Sequence, residues 1–185
     1  RSTSSAASDV YKRQTLNCSY TALPYPKNMN FLDINVLDKF IEDINIAGSI
    51  FSKANKVLCY HNHALEFQKI NQEIILERIY NNTDNKYIQG EPDVYWIQKG
   101  GHDPISWCKK LKNRLPLIHL KDFIMLNEHE SYYAEIGNGN LDIKSIIREA
   151  KLSECKWYIV EQDECQGDPF ISIETSFNNL LKFVT

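Results

Sequence analysis

No apolar run in this chain reaches the roughly 20 residues that a membrane-spanning helix requires, and no positively charged start leads into a hydrophobic segment of the signal-peptide kind. The expectation is a cytoplasmic protein without a membrane partner. Paired cysteines are missing as well. The five cysteines, Cys18, Cys59, Cys108, Cys155 and Cys165, are an odd number, widely spaced and without a C-x-x-C pair. They suggest neither a disulfide framework nor a thiolate zinc site, and they fit a reducing compartment. Nor is there a concentrated run of Lys and Arg. With a formal net charge of −3, the chain lacks the positive surface that phosphate backbones demand, so nucleic acid is not expected as a partner. Finally, no G-x-G-x-x-G follows any apolar run, which lowers a dinucleotide-binding Rossmann reading.

What the chain does have is 185 residues with 43% hydrophobic content, enough for one domain with a sizeable core. Residues 1–14, RSTSSAASDVYKRQ, are small, polar and aperiodic. They read as a non-native tail and are set aside, so the folded part is expected to span residues 15–185.

The central stretch is Lys56 to Phe67, KVLCYHNHALEF. Val57 to Tyr60 has the length and composition of a buried strand, and it ends abruptly in His61, Asn62 and His63 with Glu66 close behind. Each buried imidazole or carboxylate needs a partner, which makes such a cluster at a strand end a candidate for chemistry. The same pattern returns downstream. Leu115 to Leu120 delivers His119 followed by Lys121 and Asp122, Lys156 to Val160 runs into Glu161, Gln162 and Asp163, and the broken apolar segment Tyr87 to Trp96 carries Asp93 at its exit.

Helix-period segments lie between these strands. A short strand over 15–22 precedes a helix over 36–54, capped by Asp33 or Asn35, with Leu37, Phe40, Ile41, Ile44, Ala47, Gly48 and Phe51 on one face. A second helix is expected over 72–80. Asp103-Pro104 and Asp168-Pro169 pair an N-cap with Pro at the first helical position, opening helices over 105–112 and to about residue 183. Asp142 caps a helix over 143–150, after the turn-rich 135–140 loop. Trp107 and Trp157 read as core, and His102 and His129 as solvated loop residues.

Alternating strands and helices indicate a parallel sheet with crossover connections. Without a nucleotide fingerprint, an α/β barrel is the better candidate, because its active site gathers at the carboxyl ends of the strands. His61, Asp93, His119 and Glu161 all occupy such ends. Two imidazoles and two carboxylates brought to one mouth would suit Mn²⁺, Co²⁺, Mg²⁺ or Zn²⁺.

The segments YHNHALEF (60–67), EPDVYWIQKGGHDP (91–104), LIHLKD (117–122), EIGNGNLD (135–142) and VEQDE (160–164) together resemble the sugar phosphate isomerase/epimerase family, which has the xylose isomerase-like barrel fold. The resemblance runs from about Thr15 to the end. It implies a partial (β/α)8 TIM barrel containing the fourth to eighth strands with their helices. It also implies a divalent metal that binds vicinal oxygens of a sugar or cyclitol, polarises a carbonyl and stabilises an enediolate as a proton leaves the adjacent carbon. Asp93, His119 and Glu161 match metal positions, with Glu161 doubling as acid/base and Lys121 reaching a substrate oxygen. His61 stands where many epimerases of this group place a glutamate. A two-glutamate proton transfer is therefore in question, and His61 serves instead as ligand or base. His63 and Trp96 are substrate-binding candidates; His63 alternatively orients His61 through a hydrogen bond, and Trp96, like Tyr95, alternatively belongs to barrel packing.

The expected substrate is thus a small sugar or cyclitol, and a homo-oligomer is compatible with the sequence. Three rival readings stay open: an inosose or keto-sugar dehydratase or hydratase of the same fold, a non-catalytic sugar-binding barrel, and, least favoured for want of a basic groove, a metal-dependent endonuclease.

Overall fold

The computed structural model describes residues 3–184. The chain divides into two compact units, Arg1–Glu91 and Pro92–Thr185.

In the first unit the order is α1 (Thr3–Thr15), β1 (Tyr20–Pro24), α2 (Ile34–Lys53), β2 (Val57–His61), a single 3-10 turn (Leu65–Phe67), β3 (Lys69–Ile70), β4 (Glu73–Ile74), α3 (Ile75–Asn81) and β5 (Ile88–Glu91). β2 is the middle strand of a parallel sheet, with β1 on one side and β5 on the other. α2 forms where its apolar spacing requires. Leu37, Phe40, Ile41, Ile44 and Phe51 are buried, and Asp33 starts the helix by accepting a hydrogen bond from the Asn35 N–H. The Phe40 ring meets Tyr60 of β2 edge-on, with centroids 5.9 Å apart. At Gly48 the helix passes so close to the chain before β5 that a Cβ would stand 2.6 Å from the Tyr87 carbonyl oxygen.

Three features depart from the sequence reading here. The segment set aside as a tail is helical, packs on α2 and buries Val10. That helix occupies the start of the strand expected over 15–22, so β1 begins at Tyr20, after a turn in which Asn17 has φ +52°. The helix expected from Gln72 begins at Ile75, because Asn71 and Gln72 both take positive φ and fold 69–74 into the β3–β4 hairpin.

The second unit holds α4 (Val94–Lys99), α5 (Pro104–Lys110), β6 (Leu117–Leu120), β7 (Asp122–Met125), β8 (Ser131–Ala134), α6 (Ile143–Leu152), β9 (Trp157–Val160) and α7 (Pro169–Val184). β6 and β9 are parallel, from Leu117 beside Trp157 to Leu120 beside Val160. β7 and β8 form an antiparallel hairpin absent from the sequence reading. The aspartate caps act as expected. Asp103 accepts from the Ile105 and Ser106 N–H groups, Asp142 from Ser145 and Asp168 from Phe170. Trp107 is buried, whereas Trp157 is 60% exposed and corrects the expectation of a core residue: it opens β9, where no described element covers its ring. His129 is exposed at the hairpin tip, and His102 is half-buried beside Trp107. Among the described residues no helix is long and apolar enough to cross a membrane.

Candidate metal centre

Backbone register brings three of the sequence candidates together in the second unit. The His119 N–H donates to the Pro92 carbonyl, and Asp93 forms an isolated parallel bridge to His119. On the other side of β6, the Glu161 N–H donates to the Leu120 carbonyl. Asp93, His119 and Glu161 therefore sit side by side where neighbouring extended segments end. Each offers a ligand atom, and these atoms lie within 4.8 Å of one another.

Asp93 is fully buried and uses its two oxygens differently. Oδ1 accepts from the Tyr95 and Trp96 N–H groups at 2.9 and 3.1 Å, capping α4, while Oδ2 faces His119 Nδ1 at 3.9 Å and Lys121 Nζ at 3.4 Å. Burial pushes its carboxyl up to about 6, against the pull of Lys121, the α4 cap and His119. His119 Nδ1 lies 2.9 Å from Glu161 Oε2, and the Glu161 side chain is 40% exposed, so solvent reaches this end of the group.

Lys121 is only 2% exposed. Two residues beyond His119, it shares a face with it along an extended chain. Its ammonium lies 3.2 Å from Glu161 Oε2 and 3.1 and 3.3 Å from the two oxygens of Asp163. Burial works against its charge, but Asp93, Asp163 and Glu161 outweigh it and hold the lysine above its ordinary value. The rings of Trp96, Tyr133 and Tyr95 stand 5.4, 5.8 and 6.0 Å from the same nitrogen. Trp96, half-buried, thus forms part of an aromatic wall beside the acidic cluster.

Asp122 adds a role that the sequence reading did not assign. Fully buried, it accepts from Gly137 and Gly139 through Oδ2 and from Phe123 and Leu141 through Oδ1. The turn-rich glycine loop is thus wrapped around a carboxylate of the chain itself. A Cβ at Gly139 would collide with the Asp122 carboxylate.

His61, His63 and Glu66 belong to the first unit. His61, at the end of β2, is 7% exposed; its Nδ1 lies 3.8 Å from Glu91 Oε1, and its ring stands perpendicular to that of His63 at 5.0 Å. Glu66 is the structural acceptor of the motif. Its buried carboxyl receives the His63 N–H on both oxygens at 3.1 Å and the Tyr60 hydroxyl at 3.0 Å, and burial raises it to about 7.

No family model and no curated relative matches the chain. Solved structures do. A sugar phosphate isomerase/epimerase from Parabacteroides distasonis matches with a TM-score of 0.84 and 26% identity, covering 97% of this chain but 64% of that one. At 12% identity, the IOLI protein with bound zinc matches with a TM-score of 0.74 over 98% of this chain and 68% of its own. A protein assigned as a 3-DHS dehydratase from Bacillus anthracis matches with 0.72 at 12% identity, over 97% and 69%. The chain has the α/β fold of the xylose isomerase-like TIM barrels, over 64% of the length of the first of these structures, and within that fold it is similar to the sugar phosphate isomerase/epimerases.

Proposed function

We propose that the chain is part of a divalent-metal-dependent sugar or sugar phosphate isomerase or epimerase that moves a proton on a carbon next to a carbonyl. The observation that carries this reading is the convergence of Asp93, His119 and Glu161, ligand atoms within 4.8 Å, around a buried lysine. One imidazole with two carboxylates is a donor set that suits Mn²⁺, Co²⁺ or Zn²⁺, and with fewer protein ligands Mg²⁺. Such an ion supplies Lewis-acid polarisation of a carbonyl. Asp93, His119 and Glu161 hold it, and His61 is the fourth ligand by sequence resemblance.

The protein groups then divide the remaining work. Glu161, solvent-accessible and hydrogen-bonded to His119, is the group placed to take and return the proton. Lys121 donates to a substrate oxygen, and His61 is the second acid/base candidate. Trp96 offers a face on which the apolar side of a sugar ring stacks, and His63 is assigned to the substrate or to orienting His61. The ligand is a small sugar or cyclitol.

Metal content and affinity, compared among the protein and its Glu161→Ala and His119→Ala variants, test this reading. Stoichiometric divalent metal in the parent, lost or weakened at least about tenfold in both variants, is the expected result. A parent that takes up no specific metal refutes it and leaves a sugar-binding barrel. A second reading, a dehydratase of the same fold, is favoured by one feature: a histidine at 61 where two-glutamate epimerases have a carboxylate. Product mass separates the two, because only the dehydratase changes the substrate by one water.

A further inference from the structure

We propose that Lys121 is a resident counter-cation of the metal centre and that Asp163 is the position to which its ammonium withdraws when a divalent ion enters. The inference rests on the metal reading above and concerns how this chain manages the charge of that centre. Lys121 Nζ lies 3.4 Å from Asp93 Oδ2 and 3.2 Å from Glu161 Oε2, so it contacts both carboxylates of the candidate ligand group. Two carboxylates converging within a few ångströms repel each other unless a cation stands between them. The ammonium, in contact with both, offsets that repulsion.

The same charge opposes an incoming divalent cation, since like charges a few ångströms apart in a partly buried site repel strongly. The lysine therefore needs another acidic partner, and Asp163 is that partner. It contacts Nζ through both oxygens, at 3.1 and 3.3 Å, and it lies outside the ligand group. Beside it Tyr133, on β8, packs its ring against Tyr95, with centroids 5.1 Å apart. The rings of Trp96, Tyr133 and Tyr95 accept a cation on the same nitrogen, 5.4 to 6.0 Å away, which lowers the cost of leaving the carboxylates. Asp163 is accordingly a positioning residue that acts through Lys121.

The two residues have opposite signatures. Removing the competing ammonium tightens metal binding, whereas removing Asp163 leaves the ammonium on Asp93 and Glu161 and weakens it. Titration with Mn²⁺, Co²⁺ and Zn²⁺ by calorimetry reads both in Lys121→Met, Asp163→Asn and the double variant. The expected results are about tenfold tighter binding in Lys121→Met and about tenfold weaker binding in Asp163→Asn. In the double variant the Asp163 effect falls to threefold or less, because its mediator is gone.

Parent binding with unchanged or weaker affinity in a folded Lys121→Met overturns the competition. An Asp163 effect that persists at full size without Lys121 overturns the positioning role. If Lys121→Met does not fold, Asp163→Asn decides, since its side chain is 37% exposed and tolerates the change: weakened binding at unchanged melting temperature supports the inference, and unchanged affinity overturns it. Absence of binding in parent and variants alike refutes the metal reading itself and this inference with it.

Discussion

Replacing Asp122 is the substitution whose cost the structure determines most directly. The carboxylate is fully buried and accepts from four backbone N–H groups, those of Phe123, Gly137, Gly139 and Leu141, at 2.9 to 3.2 Å. Asp122→Ala strands all four. A hydrogen bond to a charged acceptor contributes roughly 1.5 to 3 kcal/mol, but the donors are only partly buried and water replaces some of what is lost. The expected destabilisation is about 4 kcal/mol, which for a chain of this size lowers the melting temperature by roughly 10 °C. Asp122→Asn is intermediate for a geometric reason. Each carboxylate oxygen serves two donors, so either orientation of the amide turns its NH₂ toward two N–H groups, and about 2 kcal/mol is lost. Urea unfolding followed by circular dichroism measures both, and amide exchange at Gly137, Gly139 and Leu141 reports the local effect. An Asp122→Ala protein within 1 kcal/mol of the parent, with those amides still protected, would refute the assignment of Asp122 as the anchor of this loop.

Two further substitutions act elsewhere. Glu66 has a folded value near 7, above the ordinary 4.5, chiefly because it is buried. The native state therefore holds a proton that the unfolded chain releases, and stability from this group is full below about pH 4.5 and falls as pH rises to 7, by at most about 3 kcal/mol. Glu66→Gln should flatten that part of a stability-versus-pH profile; parallel profiles for parent and variant would sink the idea. Gly48→Ala gains helix propensity of about 1 kcal/mol, yet its Cβ would meet the Tyr87 carbonyl at 2.6 Å and Ile88 Cδ1 at 2.8 Å. Net destabilisation of about 1 to 3 kcal/mol is expected in a thermal melt, and a variant more stable than the parent would show that the contact relaxes freely.

The elements that were legible in the sequence are those whose cause is local. α2 repeats apolar residues at helical spacing from Leu37 to Phe51, and Asp33, Asp103, Asp142 and Asp168 cap their helices through N–H groups two or three residues away. The missed elements depend on choices that composition does not force. Asn71 and Gln72 adopt positive φ without a glycine to announce the β3–β4 hairpin. The polar run 126–130 between β7 and β8 reads as loop, and only the pairing of 122–125 with 131–134 turns its flanks into strands. Trp157 shows the same limit from the opposite direction, since hydrophobicity promises burial but only a packed neighbour provides it.

In the candidate centre, Asp93, His119 and Glu161 were legible because each stands where an apolar stretch gives way to polar residues. Asp163 and Tyr133 were not, since Glu161, Asp163 and Glu164 look equivalent as neighbouring acids. A signal for Asp163 was nevertheless present. Side chains two apart on an extended chain share a face, so His119 with Lys121, and Glu161 with Asp163, form two same-face pairs. The register of β6 against β9 sets Leu120 beside Val160, and continuing it by one residue sets Lys121 beside Glu161. That puts one cation within reach of both acids of the adjacent pair, at 3.2 and 3.1 Å. The two-residue spacing is in the sequence, but the β6–β9 register that sets the pairs side by side is not, and the approach of Tyr133 to Lys121 further requires the β7–β8 hairpin.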